Sequence, residues 1–76
     1  MSGTTTSQIL AEMVASVLSV AVEPGDEVGV GDTVILLESM KMEIPVLAER
    51  AGRVEDVRVV TGDVVQEGDV LVVLAH

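Results

Sequence analysis

The feature that most constrains the fold of this chain is an internal repeat of one sequence pattern. The stretch EPGDEVGVGDTVILLE, residues 23–38, matches VTGDVVQEGDVLVVLA, residues 60–75, at a shift of 37 positions. Under that shift both Gly-Asp pairs of the first half fall on Gly-Asp pairs of the second, at Gly62 and Gly68. Two copies of one pattern predict two similar halves that bury a continuous core between them.

Each half is predicted to consist of short strands separated by tight turns. Glycine tolerates a positive φ and an adjacent Asp side chain bonds nearby backbone, so the Gly-Asp pairs indicate turns. Valine-rich runs lie between them, and the branched Cβ of valine favours strands. Leu18, Val20 and Val22 are expected to share one face of a strand, as Val57 and Val59 do in the second half. The pattern predicts a small all-β sandwich or barrel with pseudo-two-fold symmetry.

The segment that joins the halves, residues 38–43, is predicted to form a hairpin turn at one end of the molecule. The chain termini should then lie near the other end, so Lys41 would occupy an exposed tip. Residues 1–7 are small and polar, and a flexible N-terminal tail is predicted there, with a single domain over residues 8–76.

Composition excludes several classes of function. The formal net charge of −9 makes nucleic acid and anionic membranes poor partners and favours a basic docking surface on another protein. The chain has no cysteine and its one histidine is the last residue, His76, so no metal site is expected. Neither a signal peptide nor a long apolar run is visible, and a cytoplasmic monomer is expected.

Lys41 is the single lysine of the chain, and it lies between Met40 and Met42 in the stretch LLESMKMEIP. A lysine in a turn commonly serves only as a solvated side chain. Two methionines exposed on a turn, however, present apolar surface to water without stabilising the fold, which favours a binding role. No nucleophile–base pair or phosphate loop accompanies them, and no neighbour is predicted to activate the amine. Lys41 is therefore interpreted as a substrate that another enzyme acylates. The chain itself is not expected to be an enzyme.

The stretch ESMKMEIP resembles the acceptor motif of the biotin attachment domains, the biotin carboxyl carrier proteins. Lys41 matches their biotinylated lysine, Met40 and Met42 match the flanking methionines, and Ser39 stands where alanine is commoner. The resemblance covers residues 9–76. It implies a flattened β-barrel, or barrel-sandwich hybrid, of two four-stranded antiparallel sheets with the acceptor lysine on a hairpin turn. The stretch from residue 25 to 31 is too short for the thumb of multisubunit acetyl-CoA carboxylase carriers, so the single-domain type is expected.

The resemblance also implies a mechanism and partners. A biotin protein ligase would join biotin covalently to Lys41, as N6-biotinyllysine. A biotin carboxylase would load a carboxyl group, and a carboxyltransferase would pass it to an acceptor. Met40, Met42 and Ser39 would take part in recognition of the acceptor, while Glu38 and Glu43 would frame the turn and help docking.

Two alternatives to a biotin carrier remain open. A lipoyl domain shares the fold and would serve 2-oxo acid dehydrogenases or glycine cleavage, but such domains typically place Asp before the lysine and Ala after it. Met40 and Met42 therefore favour biotin. A non-covalent interaction module on the same fold would leave the single lysine and its two methionines without a role.

Overall fold

A computed structural model describes residues 5–76 of the chain, and the regular structure in that range consists of eight β-strands. The strands are β1 (Thr6–Leu10), β2 (Ala15–Val20), β3 (Glu27–Val28), β4 (Thr33–Ser39), β5 (Met42–Leu47), β6 (Gly52–Val57), β7 (Val64–Val65) and β8 (Val70–Ala75). Within these residues nothing helical is long and apolar enough to cross a membrane.

The strands form two four-stranded sheets in which all neighbours are antiparallel. The terminal sheet has the order β1-β8-β6-β3, and the hairpin sheet has the order β5-β4-β2-β7. The two sheets enclose one core between their inner faces. This architecture confirms the predicted all-β, flattened barrel of two four-stranded antiparallel sheets.

The sequence repeat is also a structural repeat. A shift of 37 residues carries β1–β4 onto β5–β8 and turns the strand order of one sheet into that of the other. Irregularities in pairing recur at matching places, between Val17 and Ser19 in β2 and between Val54 and Asp56 in β6. Because turns, bulges and strand order all repeat, the two halves are related by the predicted pseudo-two-fold symmetry.

Four turns of one design fix the ends of the strands. In each turn an Asp carboxylate accepts a hydrogen bond from the backbone N–H three residues earlier, over 2.8–3.0 Å. The preceding glycine has a φ of 90–99°, a conformation that residues with a Cβ adopt only at a cost. The four turns end at Asp26, Asp32, Asp63 and Asp69. The predicted Gly-Asp turns are thus confirmed with the expected side-chain bonds.

The core is built from valine, leucine, isoleucine and alanine supplied equally by the two halves. Its most enclosed large side chains are Val17, Val34, Ile35, Leu37, Val54, Leu71, Val72 and Leu74. Each of these has its counterpart 37 positions away in the same set, as Leu37 has in Leu74. No polar or charged side chain is buried among the described residues. One half therefore supplies the apolar cover that the other half needs.

One strand face differs from its prediction. Val17 is buried at 2% exposure, whereas Leu18 is only partly buried and is not among the residues that pack against the core. Val20 and Val22 do pack against the core, as predicted. The pairing irregularity between Val17 and Ser19 explains the difference, since a bulge inserts one extra residue and changes which side chains face inward.

The N-terminal boundary also differs from its prediction. β1 begins at Thr6, so Thr6 and Ser7 belong to the terminal sheet, where they pair with Ala75 and Leu74. Pairing with β8 satisfies backbone groups of these residues that a free tail would leave to water. The prediction for residues 1–4 lies outside the described part of the chain.

The paired core leucines provide a test of the two-half architecture. We expect Leu37→Ala and Leu74→Ala each to lower the free energy of unfolding by about 2–5 kcal/mol, because each leaves a cavity at an equivalent place. Urea denaturation measures both values. Leu10→Ala and Leu47→Ala are matched controls, because these leucines are equivalent to each other and are 43% and 45% exposed. Core variants that cost no more than these controls would contradict a shared core.

Candidate functional site

The predicted acceptor segment is a tight β-hairpin between β4 and β5. Ser39 pairs with Met42, so Met40 and Lys41 alone form the turn. Their φ angles are 53° and 66°, and two positive φ angles in a two-residue loop are typical of a type I′ turn. The turn is therefore shorter than the predicted segment 38–43, whose outer residues belong to the strands.

The turn is strained by its own sequence. Type I′ turns favour Asn-Gly, since residues with a Cβ resist positive φ, at a cost of roughly 1–2 kcal/mol each. Met40 and Lys41 are the only residues other than glycine with positive φ in the described part of the chain. Regular pairing of β4 with β5 holds them there, from Ile35 opposite Val46 to the turn itself. Strain kept at one exposed turn indicates that these side chains are retained for function.

The side chains at the tip point into solvent. Met40 is 91% exposed and Met42 is 64% exposed, while Lys41 is exposed and Ser39 is partly buried. Within residues 5–76 the single ion pair joins Arg58 to Asp56, so Lys41 takes part in none. The tip thus presents a free amine between two apolar thioether side chains, as the sequence predicts.

Two carboxylates lie at the base of the tip. Glu38 of β4 and Glu43 of β5 are direct cross-strand partners, and both are exposed. Like charges placed directly opposite each other destabilise a strand pair. Ser16 of β2 is the neighbour of Glu38 on its other side, so no cation of the sheet offsets the two charges in this row. Glu38 and Glu43 thus lie on either side of the turn at its base, and their part in docking stays a prediction.

The hairpin lies at the opposite end of the barrel from Thr5 and His76. The start of β2 pairs with β7 beside the end of β4, so β7 lies at the hairpin end. β8 begins five residues after β7 ends and runs away from that end to His76. There His76 and Thr5 exchange backbone hydrogen bonds of 2.8 and 3.2 Å, at the positions equivalent to Ser39 and Met42.

Lys41 lies outside the two grooves found among residues 5–76. A groove runs between the free edges of β1 and β5 and is lined by residues such as Ile9, Leu10, Val46 and Leu47, but Lys41 and both flanking methionines lie outside it. Across residues 5–76, no group of three or more His, Cys, Asp or Glu side chains is placed to hold a metal ion. The arrangement is one that offers an amine to another protein's active site.

A flattened barrel that presents one strained, exposed lysine at a hairpin tip defines a class of protein, the domains that carry a covalently attached group. The chain belongs to the family described as biotin-requiring enzyme, the biotin and lipoyl attachment domains, because the family model matches residues 5–74. This confirms the resemblance that the acceptor motif indicates.

Curated relatives come from mycobacteria. The biotinylated protein TB7.3 homolog of Mycolicibacterium smegmatis is 69% identical over 39 residues, which are 51% of this chain and 55% of that protein. The biotinylated protein TB7.3 of Mycobacterium tuberculosis strain H37Rv is 67% identical with the same coverage. The chain thus spans about half the length of the curated relatives it matches.

Solved structures share the whole fold. A single-chain, multi-domain long-chain acyl-CoA carboxylase matches with a TM-score of 0.87 and 34% identity, over 93% of this chain and 7% of that one. The urea carboxylase of Kluyveromyces lactis matches with a TM-score of 0.87 and 30% identity, over 97% and 6%. The lipoyl domain of the 2-oxoglutarate dehydrogenase complex from Azotobacter vinelandii matches with a TM-score of 0.69 over 99% and 96%, but at 22% identity it shows the fold alone.

The strain in the turn gives a prediction about stability. Met40→Asn should raise the free energy of unfolding by about 0.5–1 kcal/mol, because Asn tolerates positive φ better than Met does. Met42→Asn is the control, since Met42 is also exposed but has no positive φ. Thermal unfolding of the two variants measures the difference. An equal or larger gain from Met42→Asn would contradict the assignment of strain to the turn.

Proposed function

We propose that this chain is a biotin carboxyl carrier. A biotin protein ligase attaches biotin to Lys41, and the carrier then moves a carboxyl group between a biotin carboxylase and a carboxyltransferase. The observation that carries the proposal is the single lysine, exposed at a hairpin tip between Met40 and Met42, in a chain of the biotin-requiring family. The biotinylated relatives and the two carboxylases of the same fold support it.

The residues of the tip fit covalent attachment of a carboxylic acid. The Lys41 amine takes part in no ion pair with the described residues, so an approaching enzyme need not break one. The Lys41 ammonium gives up one proton to become a nucleophilic amine, and Nζ then attacks the acyl carbon of the biotin acyl-adenylate. The C–O bond to the adenylate breaks, AMP leaves, and Nζ loses a second proton as the amide forms. The amide has no charge, so the formal net charge changes from −9 to −10. Met40 and Met42 offer apolar surface on both sides of the amine.

A carrier needs a long arm on a rigid base. Biotin, once attached, supplies a ureido nitrogen that accepts a carboxyl group and later releases it. The antiparallel pairing of β4 with β5 holds the root of that arm, and the exposed lysyl side chain extends it away from the barrel. Tethering raises the effective concentration of the carried group at both partner active sites. The domain positions the arm, and the chemistry takes place on the partners.

A lipoyl carrier is the alternative with the same fold. The lipoyl domain from A. vinelandii shares the architecture, but its low identity supports no statement about the attached group. The names of the mycobacterial relatives and the methionines beside Lys41 favour biotin. A non-covalent module would give neither the methionines nor the strained turn a role.

Intact-mass spectrometry of the protein purified from its native host tests the proposal. We expect a biotinyl adduct, located on Lys41 by fragmentation. Lys41→Arg should abolish the adduct while leaving the melting temperature unchanged, because the side chain is exposed and makes no ion pair within the described part of the chain. Arg keeps the charge but provides no amine that a ligase can acylate.

Three outcomes would count against the proposal. A lipoyl mass on Lys41 would move the chain to 2-oxo acid or glycine metabolism. Labelling of a folded Lys41→Arg variant would place the acceptor elsewhere. An unmodified lysine in cells that contain biotin and active ligase would favour the non-covalent module.

A further inference from the structure

The outer face of the hairpin sheet is apolar at four positions whose equivalents on the terminal sheet are mostly polar. On the hairpin sheet these positions hold Leu18, Leu36, Pro45 and Val64. On the terminal sheet, 37 residues away in the repeat, they hold Glu55, Val73, Gln8 and Glu27. We call the four residues of the hairpin sheet the apolar strip.

Pairing shows that the strip faces outward. Residues that pair across neighbouring strands form a row whose side chains share one face of the sheet. Leu36 forms such a row with Ser19 and Pro45. The rows on either side of it contain Ile35 and Leu37, which face the core, so the row of Leu36 faces outward. Leu18 is the extra residue of the bulge, and neither it nor Leu36 is among the residues that pack against the core.

Val64 completes the strip at its outer corner. It pairs with Ser16, which in turn pairs with the exposed Glu38, so Val64 belongs to an outward row. Its side chain is 68% exposed. The strip therefore extends across β7, β2, β4 and β5 on the side of the sheet that faces solvent.

The repeat provides an internal comparison for the strip. Both halves share the same turns, bulges and core positions, yet the terminal sheet folds with polar residues at three of the four places. The fourth, Val73, is buried at 8% exposure, whereas no member of the strip is buried. The fold therefore does not require apolar side chains at the strip. Pro45 and Val64 are exposed while Leu18 and Leu36 are partly buried, so the strip keeps apolar surface in water that the fold does not need, which indicates an interaction surface.

The position and charge of the strip indicate its partner. Leu36 lies three residues before the end of β4, about 10 Å from the base of the tip. Glu38 and Glu43 lie between Leu36 and the tip, in the outward row that also contains Ser16 and Val64. In the equivalent row of the terminal sheet Glu27 lies opposite Arg53, but the hairpin row contains no cation. A complementary surface is an apolar patch bordered by Arg or Lys.

We infer that the apolar strip and the Glu38–Glu43 row form the docking surface for the enzyme that acylates Lys41, a partner with an apolar patch bordered by basic residues. This inference rests on the proposed function. The unmodified lysine side chain is short, so an enzyme that acylates it must hold the hairpin itself. A two-residue tip is far smaller than the roughly 800 Å² per partner of a standard interface, so the contact must extend onto the adjoining sheet.

The test is ligase kinetics on variants with matched charge. Leu18→Glu combined with Val64→Glu adds two negative charges to the strip, and both reproduce glutamates that the terminal sheet has at the equivalent places, Glu55 and Glu27. Thr6→Glu combined with Gln8→Glu adds the same charge to the exposed outer face of the terminal sheet. Initial rates are measured with the source organism's biotin protein ligase, ATP, biotin and increasing unmodified carrier.

The strip variant should raise KM for the carrier about tenfold, which corresponds to about 1.4 kcal/mol of binding, with kcat unchanged. The terminal-sheet variant should stay within about twofold of the wild-type KM. Circular dichroism and thermal unfolding check that each variant is folded. If the strip variant is unfolded, Pro45→Gln combined with Val64→Thr replaces it, since both side chains are exposed. This variant should also raise KM, but by less than tenfold.

The remaining outcomes separate this inference from the proposed function. Wild-type protein and strip variants that are biotinylated with equal KM would overturn the docking surface and leave the carrier function standing. Wild-type protein that active ligase does not biotinylate would overturn the proposed function. A loss confined to carboxylation of the biotinylated carrier by biotin carboxylase, or a dimer that the strip variant abolishes, would assign the strip to another occupant and overturn the inference.

Discussion

The structure depends on the burial of one apolar face of each half against the other. Neither half can cover its own inner face, because each contributes strands to both sheets and a single layer of small aliphatic side chains. The core contains no aromatic residue, so its stability depends on close packing of many branched side chains. Leu37 and Leu74 occupy equivalent places in that core, which makes the two halves interdependent.

The same interdependence gives the hairpin that carries Lys41 a rigid base. β4 contributes Leu37 to the core and pairs on both sides, with β2 and with β5, so the hairpin begins from a fully supported strand. That support holds Met40 and Lys41 at positive φ despite their Cβ atoms. A strained, exposed tip on a rigid base presents the lysine in one orientation, which suits recognition by a separate enzyme.

Pseudo-symmetry also separates what the fold requires from what function adds. The turn aspartates and glycines, the bulges and the core side chains recur in both halves, and packing or backbone geometry explains them. The hairpin end departs from the repeat at its tip and on the outer face of its sheet. The place equivalent to the tip is where Thr5 and His76 exchange backbone hydrogen bonds. Features present in one half alone are therefore the candidates for function.

Much of this could be predicted from the order of residues, because the determining signals are local. Gly-Asp pairs specify turns through φ and side-chain bonds, alternating valines specify strands, and one lysine between two methionines predicts the proposed acceptor. Pairing register could not be predicted, because it depends on contacts between distant segments. The bulge at Val17 turns Leu18 away from the core, and β8 draws Thr6 and Ser7 into a sheet. These arrangements arise from packing two sheets together, and local sequence preferences contain no information about them.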